Sequence, residues 1–247
     1  MSKVEYYREI LRESSDWEAY LLRESRLPGP RGNIELAKAA AEEGTAEWFD
    51  YLLTFDSTVA PTNTPQELLA FCGVLGLGKL LEGGNLEAMV TLKQCASDER
   101  WRIREGVAMA LQRYGSSELD ALMIEMDEWS GGNLLERRAA AAGLCEPVLL
   151  VETHVGIRVL QLLDRITGSL LEEKDRRSNE FRILSKALGY CWSVAVAAHP
   201  DIGKPYMEKW MDSDDPSIRR IMKQNLKKKR LLRADPEWTN TWIDYLK

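Results

Sequence analysis

Histidine, paired cysteine and long apolar runs are all scarce in this chain of 247 residues. Its two histidines, His154 and His199, have no partner at a metal-ligand spacing such as HExxH, so no metal centre is expected. The four cysteines, Cys72, Cys95, Cys145 and Cys191, lie far apart with no CxxC pair. Their apolar helical surroundings read as reduced core thiols rather than zinc ligands or a disulfide frame. No apolar run approaches the roughly 18–20 residues that cross a bilayer. The polar stretch after Met1 is unlike a signal peptide, which makes the cytoplasm the expected compartment and leaves no membrane partner. A GxSxG elbow, a Cys/His nucleophile pair, a Walker loop and a dinucleotide fingerprint are all missing, and no cofactor is expected. Adjacent carboxylates such as Glu42-Glu43 and Glu172-Glu173 point to different helix faces and make poor acid–base pairs.

Strand signals are equally sparse, with little period-two alternation and no Asn-Gly or Asp-Gly turn. What remains is helical rhythm. An apolar content of 45% beside 29% charge suits a globular core. The net charge of -6 argues weakly against a dedicated nucleic-acid binder. Short helices are expected over Val4–Arg12 and Asp16–Glu24, before Leu27-Pro28-Gly29-Pro30-Arg31-Gly32-Asn33 breaks the chain. Arg31 is offered from that rigid turn, where a structural role in capping carbonyls is favoured. Helices resume over Ile34–Glu43 and Ala46–Leu53. Thr64-Pro65-Gln66-Glu67 reads as a capping box for an apolar helix over Leu68–Leu81. The glycines of that helix, Gly73, Gly76 and Gly78, read as sites of close helix packing.

From Asn85 the pattern becomes regular. Leu86–Cys95 pairs with Trp101–Tyr114, closed by Gly115, and Ser117–Trp129, opened by Ser117 with Asp120, pairs with Leu134–Leu144. Glu152–Leu171 pairs with Asn179–Ala198, Ile202–Met211 with Pro216–Lys229, and Pro236–Tyr245 closes the chain behind an Asp235 cap. Taking Arg104, Arg137 and Arg219 as equivalent points gives steps of 33 and 82 residues, the second close to two repeats of about 40. That period predicts an all-α chain built as an α–α superhelix, a right-handed solenoid of antiparallel helix pairs. One domain is expected, with an N-terminal cap over about 1–63, repeats over about 64–233 and a capping helix over about 235–247.

The turn Asp214-Asp215-Pro216-Ser217-Ile218-Arg219 resembles the inter-helix turn of HEAT repeats, and Asp98–Arg104 is a similar copy with one extra residue and no proline. Leu134–Leu144 is a more distant echo. The resemblance implies that Asp98 and Asp214 cap helices and that Arg104, Arg137 and Arg219 pair with acids of neighbouring repeats. It also extends to the HEAT-like alkylpurine DNA glycosylases, which line a concave cleft with tryptophans, a carboxylate and basic residues. Trp101, Glu105, Arg137 or Arg138, and Trp192 fall in a similar order here, with glutamate where that family has aspartate. Trp101 and Glu105, four apart, share one helix face. The aromatic and acidic groups would then stabilise a cationic lesion, and the arginines would hold phosphates. Of the eight tryptophans in the chain, most sit on apolar stripes and read as core.

Charge is uneven as well. Residues 1–60 carry seven basic and twelve acidic side chains, whereas residues 202–233 carry ten basic and four acidic. Arg219, Lys223, Lys227 and Arg230 fall along one side of a helix over 216–229 and its continuation, with Arg220 beside them. Such a ridge suits phosphates or an acidic protein, and its bland counterpart is a solvated face favoured by the helix dipole. The expectation from sequence is a non-enzymatic scaffold that binds a protein partner on its concave face, through Arg137, Arg138, Arg219, Arg220, Lys223 and Lys227. The alternative is a DNA-binding or DNA-repair protein resembling the glycosylases, with Trp101, Glu105 and Trp192 at its catalytic centre.

Overall fold

A computed structural model describes residues 1–246. All regular structure among them is helical, with fifteen α-helices, one short 3-10 turn at Pro147–Leu149 and no strand. The chain packs as two compact units, Met1–Glu118 and the part from Leu119 onward.

The first unit holds α1 (Lys3–Glu13), α2 (Trp17–Arg23), α3 (Ile34–Glu43), α4 (Ala46–Leu53), α5 (Pro65–Glu82), α6 (Ala88–Ala96) and α7 (Trp101–Ser117). Its centre is α5, which touches α2, α3, α4, α6 and α7. Every residue from Glu67 to Gly78 is buried, so this helix has no solvated face to keep polar. The glycines explain how so many neighbours fit. A Cβ on Gly78 would stand 2.8 Å from the Cα of Ala110 on α7, and one on Gly76 would enter the Phe49 ring. The expectation of close packing at these glycines holds.

The second unit holds α8 (Leu119–Trp129), α9 (Leu134–Leu144), α10 (Thr153–Ser169), α11 (Asn179–Ala198), α12 (Pro200–Met211), α13 (Pro216–Leu226), α14 (Lys229–Ala234) and α15 (Pro236–Tyr245). It repeats the plan around a different long helix. The twenty-residue α11 lies against α9, α10, α12, α13 and α14. Asn225 of α13, fully buried, locks that packing by accepting from the Ser193 N–H at 2.8 Å and donating to the Leu188 carbonyl at 2.9 Å.

Helix ends follow local chemistry. Asn133 accepts from Leu135 and Glu136 at the start of α9, Ser178 from Phe181 at α11, and Asp235 from Trp238 at α15. Two expected boundaries move. Gly115 does not stop α7, which runs on to Ser117, because Gly115 is buried and packing outweighs its weak propensity. Ser117 then donates to the Tyr114 carbonyl instead of capping α8. The long basic helix expected over 216–229 is likewise two pieces, since α13 ends at Leu226 and α14 begins at Lys229.

The HEAT-like turns are held by contacts within and beside each turn. Asp215, rather than Asp214, caps α13 by accepting from Ser217 at 2.9 Å and Ile218 at 3.1 Å. Arg219 donates to the Met211 carbonyl and Arg104 to the Glu99 carbonyl at 2.8 Å, each clipping its own turn. Asp98 accepts from the Arg100 N–H and side chain, so it braces the entry to α7 without capping it. Arg137 donates to Ser169 at 3.0 Å.

Two outcomes follow from this packing. Gly78→Ala should lower unfolding stability by roughly 1–3 kcal/mol, the usual range for overpacking, as read by urea denaturation. At α15, the hydrogen bond from Lys204 and then those from the backbone hold the Asp235 carboxyl below its usual value. A depressed folded value means this contribution is present above the unfolded pKa, near 3.9, and is lost as pH falls through the folded one. Trp238 fluorescence should therefore report loosening of α15 in acid, with a flatter pH response in Asp235→Asn.

Candidate functional site

Trp101 opens α7. The buried stripe of that helix includes Ile103, Val107, Ala110 and Leu111, which turns Trp101 and Glu105, one turn apart, together towards solvent. Of the eight tryptophans, Trp101 alone is exposed, at 45%. Trp129 and Trp192 are fully enclosed. An indole left in water forfeits about 25 cal/mol for each Å² that burial would have removed, so this position needs local support.

The support is Arg102. Its guanidinium lies over the Trp101 ring, 4.4 Å from the centroid. The same group donates from Nη1 to the Glu67 carboxylate at 2.8 Å and from Nη2 to the Gly29 carbonyl at 2.7 Å and Asn63 Oδ1 at 3.3 Å. Glu67 is completely buried and also accepts from the Asn63 N–H at 2.7 Å. Asn63 in turn accepts from the Gly29 N–H at 2.9 Å, in a backbone conformation with φ of 68°. One buried ion pair thus ties α5, α7, the proline loop and the turn before α5. Around it opens a recess of about 610 Å³ lined by Pro28, Gly29, Pro30, Asn63, Trp101 and Arg102.

The sequence pointed to part of this. Thr64-Pro65-Gln66-Glu67 does open α5, but Thr64 donates to the Pro61 carbonyl and makes no side-chain cap. Glu67 reaches past the expected capping position to Asn63 and Arg102. No short-range pattern links residues 67 and 102, so spacing alone had no means of finding that pair. In the loop, the contributing groups are Gly29 and the two prolines. Arg31 is mostly exposed and pairs with Glu35 at 3.0 Å.

The other candidate residues lie in the second unit. Trp192 offers no ring to a groove, because it is enclosed in the core with its Nε1 donating to Thr167 Oγ1 at 3.0 Å. Arg138 is buried, and Arg137 is half-buried against Ser169. Arg219 and Lys223 are half-buried on α13, Arg220 is exposed beside them, and Lys227 is exposed just beyond the helix end. The basic ridge is therefore shared between α13 and α14.

Cysteine chemistry is held back by burial. Burial pushes the Cys72 and Cys145 thiols well up, and pushes Cys95, with help from Asp98, up to about 11. A thiol so raised is a poor nucleophile at neutral pH. Among the described residues no group of three or more His, Cys, Asp or Glu side chains is placed to hold a metal ion, and no helix is long and apolar enough to cross a membrane.

No protein-family model matches the chain, and no curated protein matches it in sequence. Its fold does match a solved structure, that of AlkD2 from Streptococcus mutans. The likeness has a TM-score of 0.62 at 18% identity and covers 85% of this chain and 96% of that one. The chain thus has an all-α fold of HEAT-like helical repeats, which it shares with AlkD2. One expectation is corrected by the same likeness. The expectation of a non-enzymatic scaffold does not stand, because the fold is one shared with AlkD2.

Breaking a buried ion pair leaves a charge without compensation, at a cost of about 3–5 kcal/mol. Arg102→Ala should lose stability on that scale in chemical denaturation, whereas Trp101→Ala, at a half-exposed ring, should stay within about 1 kcal/mol.

Proposed function

We propose that the chain binds DNA and acts on it in the manner of a base-removing repair protein, with Trp101 and Glu105 as the groups that meet a cationic purine. The observation that carries this reading is the exposure of both side chains on one face of α7, with the indole braced from beneath by Arg102. The fold likeness to AlkD2 supports it.

The chemistry suits those two groups. An alkylated purine carries a positive charge, which an indole face attracts through its quadrupole and a carboxylate attracts directly. As the bond from the base nitrogen to the sugar C1′ breaks, the electron pair leaves with the base, which departs neutral. Positive charge then builds on the sugar. A carboxylate placed beside it stabilises that charge, and water adds to C1′ and gives up a proton, leaving an abasic site and the free base. Nothing in these steps requires an oxidant or a reductant. Trp192 has no part in this reading, since it is enclosed.

The test combines binding with product release. Fluorescence anisotropy with a short labelled duplex should show affinity that falls steeply with salt. Release of 7-methylguanine from alkylated duplex should exceed the spontaneous rate, and Glu105→Gln should lower it by roughly a hundredfold, the scale of one lost electrostatic contact in a reacting site. Trp101→Ala should reduce it as well. Release at the spontaneous rate, or release unchanged in both variants, overturns the reading.

A further inference from the structure

The segment from Pro216 to Ala234 carries eight basic residues and no acidic one, in a chain of net charge -6. Two of the eight converge on a single ring. Arg230 donates from Nη2 to the Tyr190 hydroxyl at 2.6 Å, and its guanidinium lies 4.5 Å from the ring centroid. The Lys228 ammonium lies 5.5 Å from the same centroid. Tyr190 is itself 45% exposed on α11, one turn beyond exposed Lys186 and two beyond exposed Arg182.

The neutralisation of charge sets this cluster apart. In the first unit the arginines meet carboxylates: Arg8 and Arg12 at Glu43, Arg100 at Asp98, Arg102 at Glu67, and Arg113 at Glu42 and Glu82. Among the described residues, Lys186, Lys223, Lys227, Lys228, Lys229 and Arg230 make no such pair. Bringing Lys228 and Arg230 to one ring costs mutual repulsion, which the ring quadrupole offsets only in part. A polyanion laid across them would remove that repulsion.

We infer that the surface formed by Tyr190, Lys228 and Arg230, flanked by Lys186, Lys227 and Lys229, binds the phosphodiester backbone of DNA. The inference rests on the DNA-binding reading and adds a phosphate anchor far along the chain from α7. A repeating phosphate suits the cluster because Arg230 is held in a fixed orientation by the Tyr190 hydroxyl, which leaves its remaining N–H groups available in a set direction. The lysines supply diffuse charge around that fixed point. The carboxylates of an acidic peptide could also accept the guanidinium, but a duplex presents its phosphates as a regular, rigid row that meets Arg230 and the flanking lysines together.

The closing experiment is a salt series of anisotropy titrations on the full chain with a labelled undamaged duplex. It compares wild type, Lys228→Ala/Arg230→Ala and Trp101→Ala, with polyglutamate as a second ligand. The double variant should flatten the slope of log K against log salt by about two, roughly one for each cation removed. Trp101→Ala should keep the wild-type slope. Tyr190→Phe, which retains the ring and removes the hydrogen bond to Arg230, should weaken binding with little change of slope. A wild-type slope in the double variant overturns the inference, and so does a cluster that takes polyglutamate while DNA binding is unaltered. A flattened slope without base release removes the proposed chemistry at α7 and leaves the anchor standing. Base release with an unflattened slope does the reverse, and a wild type that binds no DNA removes both. Matching thermal unfolding of the variants confirms that each is folded.

Discussion

The first unit depends on the ion pair between Glu67 and Arg102, with no solvent on the carboxylate side. Burying two charges is expensive, and their attraction balances that cost only when the remaining hydrogen-bonding positions are filled. Here Gly29 and Asn63 accept from Arg102 Nη2 and the Asn63 N–H adds a bond to Glu67 Oε2, while Glu67 Oε1 and Arg102 Nε are buried without a hydrogen bond among the described residues. The pair is thus better understood as a fastener than as a source of stability. It sets where the proline loop sits relative to α7, and so gives Trp101 its floor and the recess its walls.

The same arginine serves a second purpose by covering one face of Trp101. Because the guanidinium is already fixed by Glu67 and Gly29, it stacks on the indole without losing further freedom. The ring is thereby held at a fixed angle while its outer side stays wet. Rigid placement of an exposed aromatic is what a stacking site needs, since a mobile ring would have to be ordered at the moment of binding. Glu105, one turn along on the same helix, inherits that placement through the backbone of α7.

Legibility in the sequence followed the range of the interactions. Apolar periodicity and punctuation placed α11 and α15 at their observed bounds, and the composition of α5 foretold its packing. Those are local properties. The repeat turn was recognised at Asp214–Arg219, yet the cap belongs to Asp215, and Arg219 binds a carbonyl of its own turn, because a motif records spacing and not partners. In sequence Trp101 and Trp192 read alike as tryptophans of a cleft, yet they have opposite exposures. The difference lies in what packs on each: α11 is surrounded on most sides within its unit, so a mid-helix ring is enclosed, whereas Trp101 begins its helix beside a loop. Arg102 and Glu67 were passed over for the same reason. A contact across 35 residues leaves no periodic trace.

Charge shows the same division between what a sequence counts and what a fold arranges. The basic excess near the C-terminus is visible by counting, and a single helical ridge is the simplest geometry for it. The break between α13 and α14 divides that ridge and turns the chain so that Lys228 and Arg230 meet Tyr190. A solvated face would spread these cations apart, because long side chains in water separate like charges at little cost. Convergence on an aromatic ring instead concentrates positive potential at one place on an otherwise acidic chain. Such a local field survives moderate salt over distances shorter than about 8–10 Å. It therefore acts on what touches the surface, and leaves the long-range behaviour of the protein to its net negative charge.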